Sequence, residues 1–479
     1  MKRYCILLAV MLLAGCDNNL KEAPKTFISP DAFFNTPASY ETAVKGIYSS
    51  IGGYFGGNSL GMRELFSDLY APPSSSIEQA LPTYQNNHQP FFYNVRGEWS
   101  NSYSLIKNAN FVLDKLGSST ISANAKETLT AEARCLRAFA YFQLVQFFGD
   151  IPLRTTPITD YAQVQIARSP QADVYKLILD DLTYAESRLP DAPPQQGRVS
   201  KWVATSLLAR VYLAMAGKPL NKTEYFQQAR DKAVAVINSG KYQLLDDYAK
   251  VFQNMAYTSE SIWEVQFIAG LGGNGLHSMT CTATGYNTFL NPAAWFVQSF
   301  PAGDRRKAWG IRSDYVGPDG KTLPVFFQKF VKNSLIDNGT LQSASTALVD
   351  FSLPVIRLAE MYLIAAEAEN EVAGPANAYA WLNKIRWRAR VDKSNPAQVP
   401  DLAGLSKDQF RQAVLMERKW ELHLEGSSWF DLKRTGNLSR IETVLKSNLV
   451  HPIGAYNETW YLPDTEITNN NIPQNPAYQ

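Results

Sequence analysis

"AEARCLRAFAYFQLVQFFGDIPL", Ala131 to Leu153, is the stretch whose reading decides the fold. Leu129 just ahead of it, then Ala133, Leu136, Ala140, Leu144 and Phe147, recur at steps of three or four, the period of one helical face. "GDIPL" breaks the pattern, so a helix is predicted over about 125–148. The same period continues on both sides. "GEWSNSYSLIKNANFVLDKLG" spaces Trp99, Tyr103, Ile106, Ala109 (or Asn110) and Leu113, with Gly117 as the stop. "SPQADVYKLILDDLTYAESRLP" puts Val174, Ile178, Leu182, Ala185 and Leu189 on one face, with Ser169 placed to cap and Pro170 suited to the first turn.

Two further pairs follow. "VSKWVATSLLARVYLAMAG" precedes "TEYFQQARDKAVAVINSGKY", and "VIRLAEMYLIAAEAENEVAG" precedes "PANAYAWLNKIRWRAR". Small residues stand where helices must approach closely: Ala209 and Ala214 in one pair, Ala365, Ala366 and Ala368 in the other. Such pairs resemble tetratricopeptide units whose consensus is partly met. Between about Tyr257 and Asp350 the character changes. "SIWEVQFIAG" reads as a strand, and the Gly-, Thr-, Asn- and aromatic-rich remainder reads as loops and short strands that split the helical array into two blocks.

Composition agrees with a large folded body. The chain has 479 residues, 45% hydrophobic and 19% charged, with 24 Tyr, 24 Phe and 10 Trp. Its formal net charge of +2, without a run of five basic residues, predicts no nucleic-acid partner. At the N-terminus, "MKRYCILLAVMLLAGC" has the basic start and short apolar run of a secretory signal. "LAGC" resembles a bacterial lipobox, which makes Cys16 the expected lipid-modified residue. Several acyl chains there would anchor the protein stably, since each buried methylene contributes about 0.8 kcal/mol. "DNNLKEAPKTFISP" then reads as a tether. Cys135 and Cys281 remain in the body; a disulfide is permitted but not deducible, and Cys135, within a helical pattern, reads as a buried inert thiol.

Motifs for chemistry are few. "GLGGNG", Gly270 to Gly275, matches a dinucleotide fingerprint, but "LHSMTCTATGYN" after it does not read as a helix. "GPDGKT" reads as a turn, the four histidines lack metal-site spacing, and no nucleophile elbow is present. Neither cofactor nor metal is expected. In "MERKWELHLEGSSWFDLKRTG", Glu417, Glu421 and Glu425 recur every four residues. Carboxylates on one helical face approach a substrate from one side, whereas a glycosidase pair flanks the scissile bond. With Arg418 and Lys419 beside them, they read as a helix-surface ion network, the helix ending at Gly426 and Trp429 and Phe430 docking the next turn. Aromatics in "LPTYQNNHQPFFYNVRGEWSNSY", read as a loop entering a helix, offer stacking faces among amides; Tyr84 and Trp99 are the leading candidates.

Five stretches in order now carry a resemblance: "AEARCLRAFAYFQLVQFFGDIPL", "RVSKWVATSLLARVYLAMAG", "PVIRLAEMYLIAAEAEN", "ERKWELHLEGSSWFDLKRTG" and the terminal "LPDTEITNNNIPQNPAYQ". Together with the lipobox they resemble the SusD/RagB family of outer-membrane nutrient-binding lipoproteins of Bacteroidetes. The resemblance implies a mostly α fold: about four tetratricopeptide-like helix pairs forming a right-handed helical scaffold, with a loop-rich, aromatic-rich insertion containing short strands. The expected layout is a signal peptide over 1–15, a lipidated tether over 16–35 and one body over 36–479. Within the body the divisions are 36–254 (helical), 255–352 (insertion), 353–448 (C-terminal helix pairs) and 449–479 (extended tail).

The resemblance also implies a non-enzyme, held at the outer membrane by its lipid and facing the exterior. It would capture a glycan or other oligomeric nutrient and deliver it to a SusC-like TonB-dependent transporter. Trp99 matches the family aromatic at the start of the helix after the long loop. Asn101 or Ser102 falls near the polar position, and Tyr286 occupies a second region. The alternatives weighed are a surface glycosidase using paired carboxylates and a tetratricopeptide-type scaffold for protein partners.

Overall fold

The computed structural model describes residues 30–71, 89–252, 257–268, 274, 276–280, 290–316, 320–331, 336–337, 340–341, 350–445, 453–454 and 457–478. The signal segment, Cys16, Tyr84, Cys281 and Tyr286 lie outside them.

Helix α1 (Pro37–Ile47) opens on a capping box, in which the Thr36 and Ser39 side chains each accept the other's backbone N–H at 3.2 Å. Helices α2 (Gly57–Glu64), α3 (Gln89–Gly117), α4 (Ala123–Phe148), α5 (Gln171–Arg188), α6 (Lys201–Ala216) and α7 (Tyr225–Asn238) complete the first block. After the insertion come α8 (Leu358–Ala373), α9 (Tyr379–Ala389), α10 (Lys407–Leu422), α11 (Ser428–Arg434) and α12 (Asp464–Asn469). From α3 to α8 each helix packs on the one before it, and α8 also packs on α9 and α10. The fold is mostly α with a tetratricopeptide-like arrangement, as expected.

Four expectations change. The insertion does not split the array, because α7 packs directly on α8. Strands β1 (Ser261–Phe267) and β2 (Phe351–Arg357) pair antiparallel from Phe351 opposite Phe267 to Arg357 opposite Ser261, closing the neck of the insertion. "VIR" accordingly belongs to β2 rather than a helix, and Arg357 becomes the residue that precedes α8. Ser169 does not cap α5. It pairs with Ile151 in a two-residue ladder, and Asp150 Oδ1 accepts the Gln171 N–H at 2.9 Å instead. A five-residue helix, Leu276–Thr280, does follow the glycine-rich stretch of sequence, with Asn274 Oδ1 accepting the Leu276 N–H at 2.8 Å.

The reading of α4 as a single stripe was also too narrow. From Ala131 to Phe148 every residue is buried except Arg134 and Gln146, which are half-buried. Its charged residues tolerate this because each is paired. Glu132 takes the Arg198 guanidinium at 2.8 and 2.5 Å, and Arg137 holds Asp181 at 2.8 and 2.9 Å. Cys135 is fully buried, and burial pushes its thiol pKa well up. The C-terminal segment crosses the end of α4, where the Trp460 N–H donates to Phe147 O at 2.7 Å. The expected docking of Trp429 and Phe430 occurs here: they lie within α11, with Trp429 stacked on Phe147 (centroids 5.7 Å) and Trp460 (5.9 Å), and Phe430 edge-on to Phe147 (4.9 Å).

Candidate functional site: an open cleft and a closed ion network

Helix α3 begins at Gln89, so Phe91, Phe92 and Tyr93 belong to helical backbone and Trp99 lies well inside the helix rather than at its start. Pro90 falls in the first turn, where a missing N–H is tolerated, so nothing in "QPFFYNVRGEW" stops the helix earlier. One face of α3, with Trp99, Tyr103, Ile106 and Asn110, forms a wall of a cleft of about 430 Å³. The loop 154–166 and α12 complete it.

The loop is pinned by Arg154, whose guanidinium donates to Gln163 O at 2.7 Å and to Val164 O. Asp160 caps its single 3-10 turn through the Ala162 N–H at 3.1 Å. Across the cleft, the Gln165 amide donates to Asn469 O at 3.2 Å and the Ile166 N–H to Asn470 Oδ1 at 2.8 Å. These bonds hold loop and α12 in register.

Polar atoms on the floor are occupied. Tyr103 donates to Pro152 O at 2.7 Å, and burial raises its pKa well above the usual phenol value. Asn110 donates to Arg154 O at 3.0 Å and accepts from Arg137 at 2.8 Å. Ser100, Ser104, Lys107 and Glu466, by contrast, line the cleft without a side-chain hydrogen bond or ion pair among the described residues. Pro157, Ile158 and Val164 add apolar surface, and Tyr161, between the latter two in the chain, is 90% exposed.

The candidates from sequence separate. Trp99 is only 4% exposed, its ring 4.8 Å from Tyr103 and 5.0 Å from Phe148, so it is wall material rather than a stacking platform. Asn101 does not join it. Two residues along a helix turn roughly 200° around the axis, and Asn101 faces the turn at Gly53, where an added Cβ would come within 2.5 Å of its amide. Ser102 is buried and donates to Glu98 O at 2.7 Å. Tyr84 and Tyr286 fall outside the described residues. Ile158 and Val164, which line the cleft, and the exposed Tyr161 between them in the chain were missed by sequence reading; a tyrosine after "TD" in a proline-flanked loop was the available signal.

The glutamate row is a different kind of place. It is not on the surface: Glu417 and Glu421 are fully buried, and α10 ends at Leu422, with Glu425 in the turn after it. Glu417 accepts from Arg306 at 2.6 Å and Arg386 at 2.7 Å. Glu421 accepts from Arg357 at 2.5 Å, Arg306 at 3.2 Å and Arg388. Glu425 takes Lys329 at 2.6 Å and both Arg357 Nε and Nη2 at 2.7 Å. Burial alone would raise the Glu421 pKa, but Arg388, Arg357 and Arg306 together hold it far below the usual carboxylate range. Burial lowers Lys329 to about 8, against the pull of Glu425. Spacing identified the face; the arginines that cover it come from β2, α9 and the insertion, which spacing along α10 cannot show.

The comparisons with known proteins fit this architecture. Residues 314–478 match a family model described as the SusD family, and residues 29–213 match one described as starch-binding, associating with the outer membrane. The chain belongs to the SusD/RagB family. Within it, SusD-like protein P25 of Formosa agariphila is 28% identical over 91% of both chains. A SusD-like protein of Bacteroides ovatus is 26% identical over 90% of this chain and 82% of its own. Among solved structures, a SusD superfamily protein from Parabacteroides distasonis superposes with a TM-score of 0.80 at 25% identity, covering 93% of this chain and 100% of that one. A laminarin-binding SusD-like protein gives 0.75 at 26% identity, covering 92% and 99%. No helix among this SusD-like chain's described residues is long and apolar enough to cross a membrane.

Proposed function

We propose that this SusD-like chain binds a glycan or similar oligomeric nutrient without cleaving it. It is held at the outer membrane by lipid on Cys16 and passes its ligand to a SusC-like TonB-dependent transporter. In this reading residues 1–15 are the signal peptide, 16–35 the tether and 36–479 the binding body. The observation that carries it is the α3 cleft: apolar walls for sugar faces, rim hydroxyl and charged groups left uncommitted for sugar hydroxyls, and a volume in the range of small-molecule sites. Glu466 is the one carboxylate lining it among the described residues, whereas hydrolysis calls for two flanking the bond. Laminarin binding in one structural neighbour and the starch-binding description of a matching family model point to the ligand class.

The test is a polysaccharide screen that includes laminarin and starch, run on the body lacking residues 1–16, measuring both binding and release of reducing ends. Binding without release is expected, weakened by Tyr161→Ala and by Ile158→Asp. Turnover would overturn the proposal. Binding indifferent to both substitutions would remove the cleft from it. Co-purification of a TonB-dependent barrel with the full lipidated chain tests the delivery step.

A further inference from the structure

A second pocket, about 90 Å³, lies where α2, α4, α6, α8 and the α10–α11 turn converge. Each of its carboxylates is already paired with arginine or lysine. Glu360 takes Arg210 through Nε at 2.7 Å and through Nη2. Asp431 takes Arg418 Nε and Arg434 Nε, each at 2.8 Å, and Glu425 is held by Lys329 and Arg357. Donors are left over. Among the described residues Arg63 Nη2 and Arg418 Nη1 have no hydrogen-bond partner, although both side chains line the pocket and both residues are 4% exposed. Arg63 Nε donates to Ser59 O at 3.3 Å and lies 3.2 Å from its counter-charge, Glu98, which leaves Nη2 uncommitted.

Buried donors without acceptors are destabilising, and for a charged group strongly so. A water placed there would have to turn its own hydrogens toward the oxygens of Gln143, Gln146 or Ser427 or toward carboxylates already paired with cations, whereas the two free donors ask only for an acceptor. An anion accepts and donates nothing. The volume is about three times the ~30 Å³ that one water takes in the liquid, which admits a halide with a water or two. We propose that the pocket binds one small monovalent inorganic anion, chloride in ordinary solution, shared by Arg63 Nη2 and Arg418 Nη1. The ion ties α2 of the N-terminal block to α10 of the C-terminal block.

The test uses the intact body in sodium chloride, bromide or gluconate at equal ionic strength. Expected are a higher melting temperature in the two halides than in gluconate, and an anomalous bromide peak within hydrogen-bond reach of both arginines. Arg418→Lys keeps the charge facing Asp431 but lacks Nη1, so the halide concentration at half-effect should rise about ten-fold, the equivalent of one charge-assisted hydrogen bond. Equal melting in all three salts, or a bromide crystal with no peak in the pocket, would overturn the proposal. Both readouts use the wild-type chain and stand even if the variant fails to fold.

Discussion

The α10 glutamate row and the α3 cleft both offer residue types associated with chemistry, and they differ in how many partners those residues already have. Glu421 meets three arginines in the interior, so both its oxygens are engaged and its proton affinity is fixed far from neutrality. In the cleft the floor is likewise engaged, but Ser100, Ser104, Lys107 and Glu466 remain uncommitted among the described residues. A carboxylate row signals chemistry only when something is left over to meet a substrate. Glu98 sharpens the contrast: it is as buried as Glu421 but faces the single cation Arg63, and burial outweighs that pair, raising its pKa to about 7.

The largest effect should come from Glu421→Ala. Removing it leaves Arg357, Arg388 and Arg306 short of a shared counter-charge, and breaking buried pairs of this kind costs about 3–5 kcal/mol. Denaturant unfolding would show it, and a change in glycan affinity with unaltered stability would instead restore a functional role to the row. Trp99→Ala comes next, at about 3 kcal/mol, because it empties a packed site between Tyr103 and Phe148. A Trp99→Ala protein of unchanged stability and lost affinity would return Trp99 to the role of ligand platform.

Glu98→Gln tests the middle ground through pH. Below the ordinary glutamate value of 4.5 both folded and unfolded states carry the proton; between there and about 7 only the folded state keeps it. Stability contributed by this group is therefore lost as pH rises from about 4.5 to about 7. The variant should lose stability less steeply across that window in melts taken at half-unit steps; an unchanged slope would assign it to another group. The smallest stability change belongs to Tyr161→Ala, within about 0.5 kcal/mol for so exposed a residue. Its glycan affinity should nevertheless fall up to about ten-fold through loss of an aromatic contact.

Much of the helical body was legible because a 3.6-residue period records which face of a helix is buried. The stripe from Leu129 to Phe147, the pair Val199–Tyr242 and the strand Ser261–Phe267 all emerge where the pattern places them. Less of the site was legible. Trp99 and Asn101 are neighbours in sequence, yet helical rotation sends one to the cleft wall and the other toward Gly53. Tyr161 carries no periodic signal at all, since it sits in a loop whose conformation is set by Arg154 and Asp160.

By itself, then, the sequence determined the helix order, the strand that opens the insertion, the family and the presence of a glutamate face on α10. These are local properties, written in residues a few positions apart. Tertiary structure alone decided that the insertion leaves the helical stack continuous, that the glutamate face is covered by arginines from β2, α9 and the insertion, and that loop 154–166 closes a cleft against α3 and α12. Each of those depends on partners tens to hundreds of residues away, and a period along one helix holds no record of what packs against it.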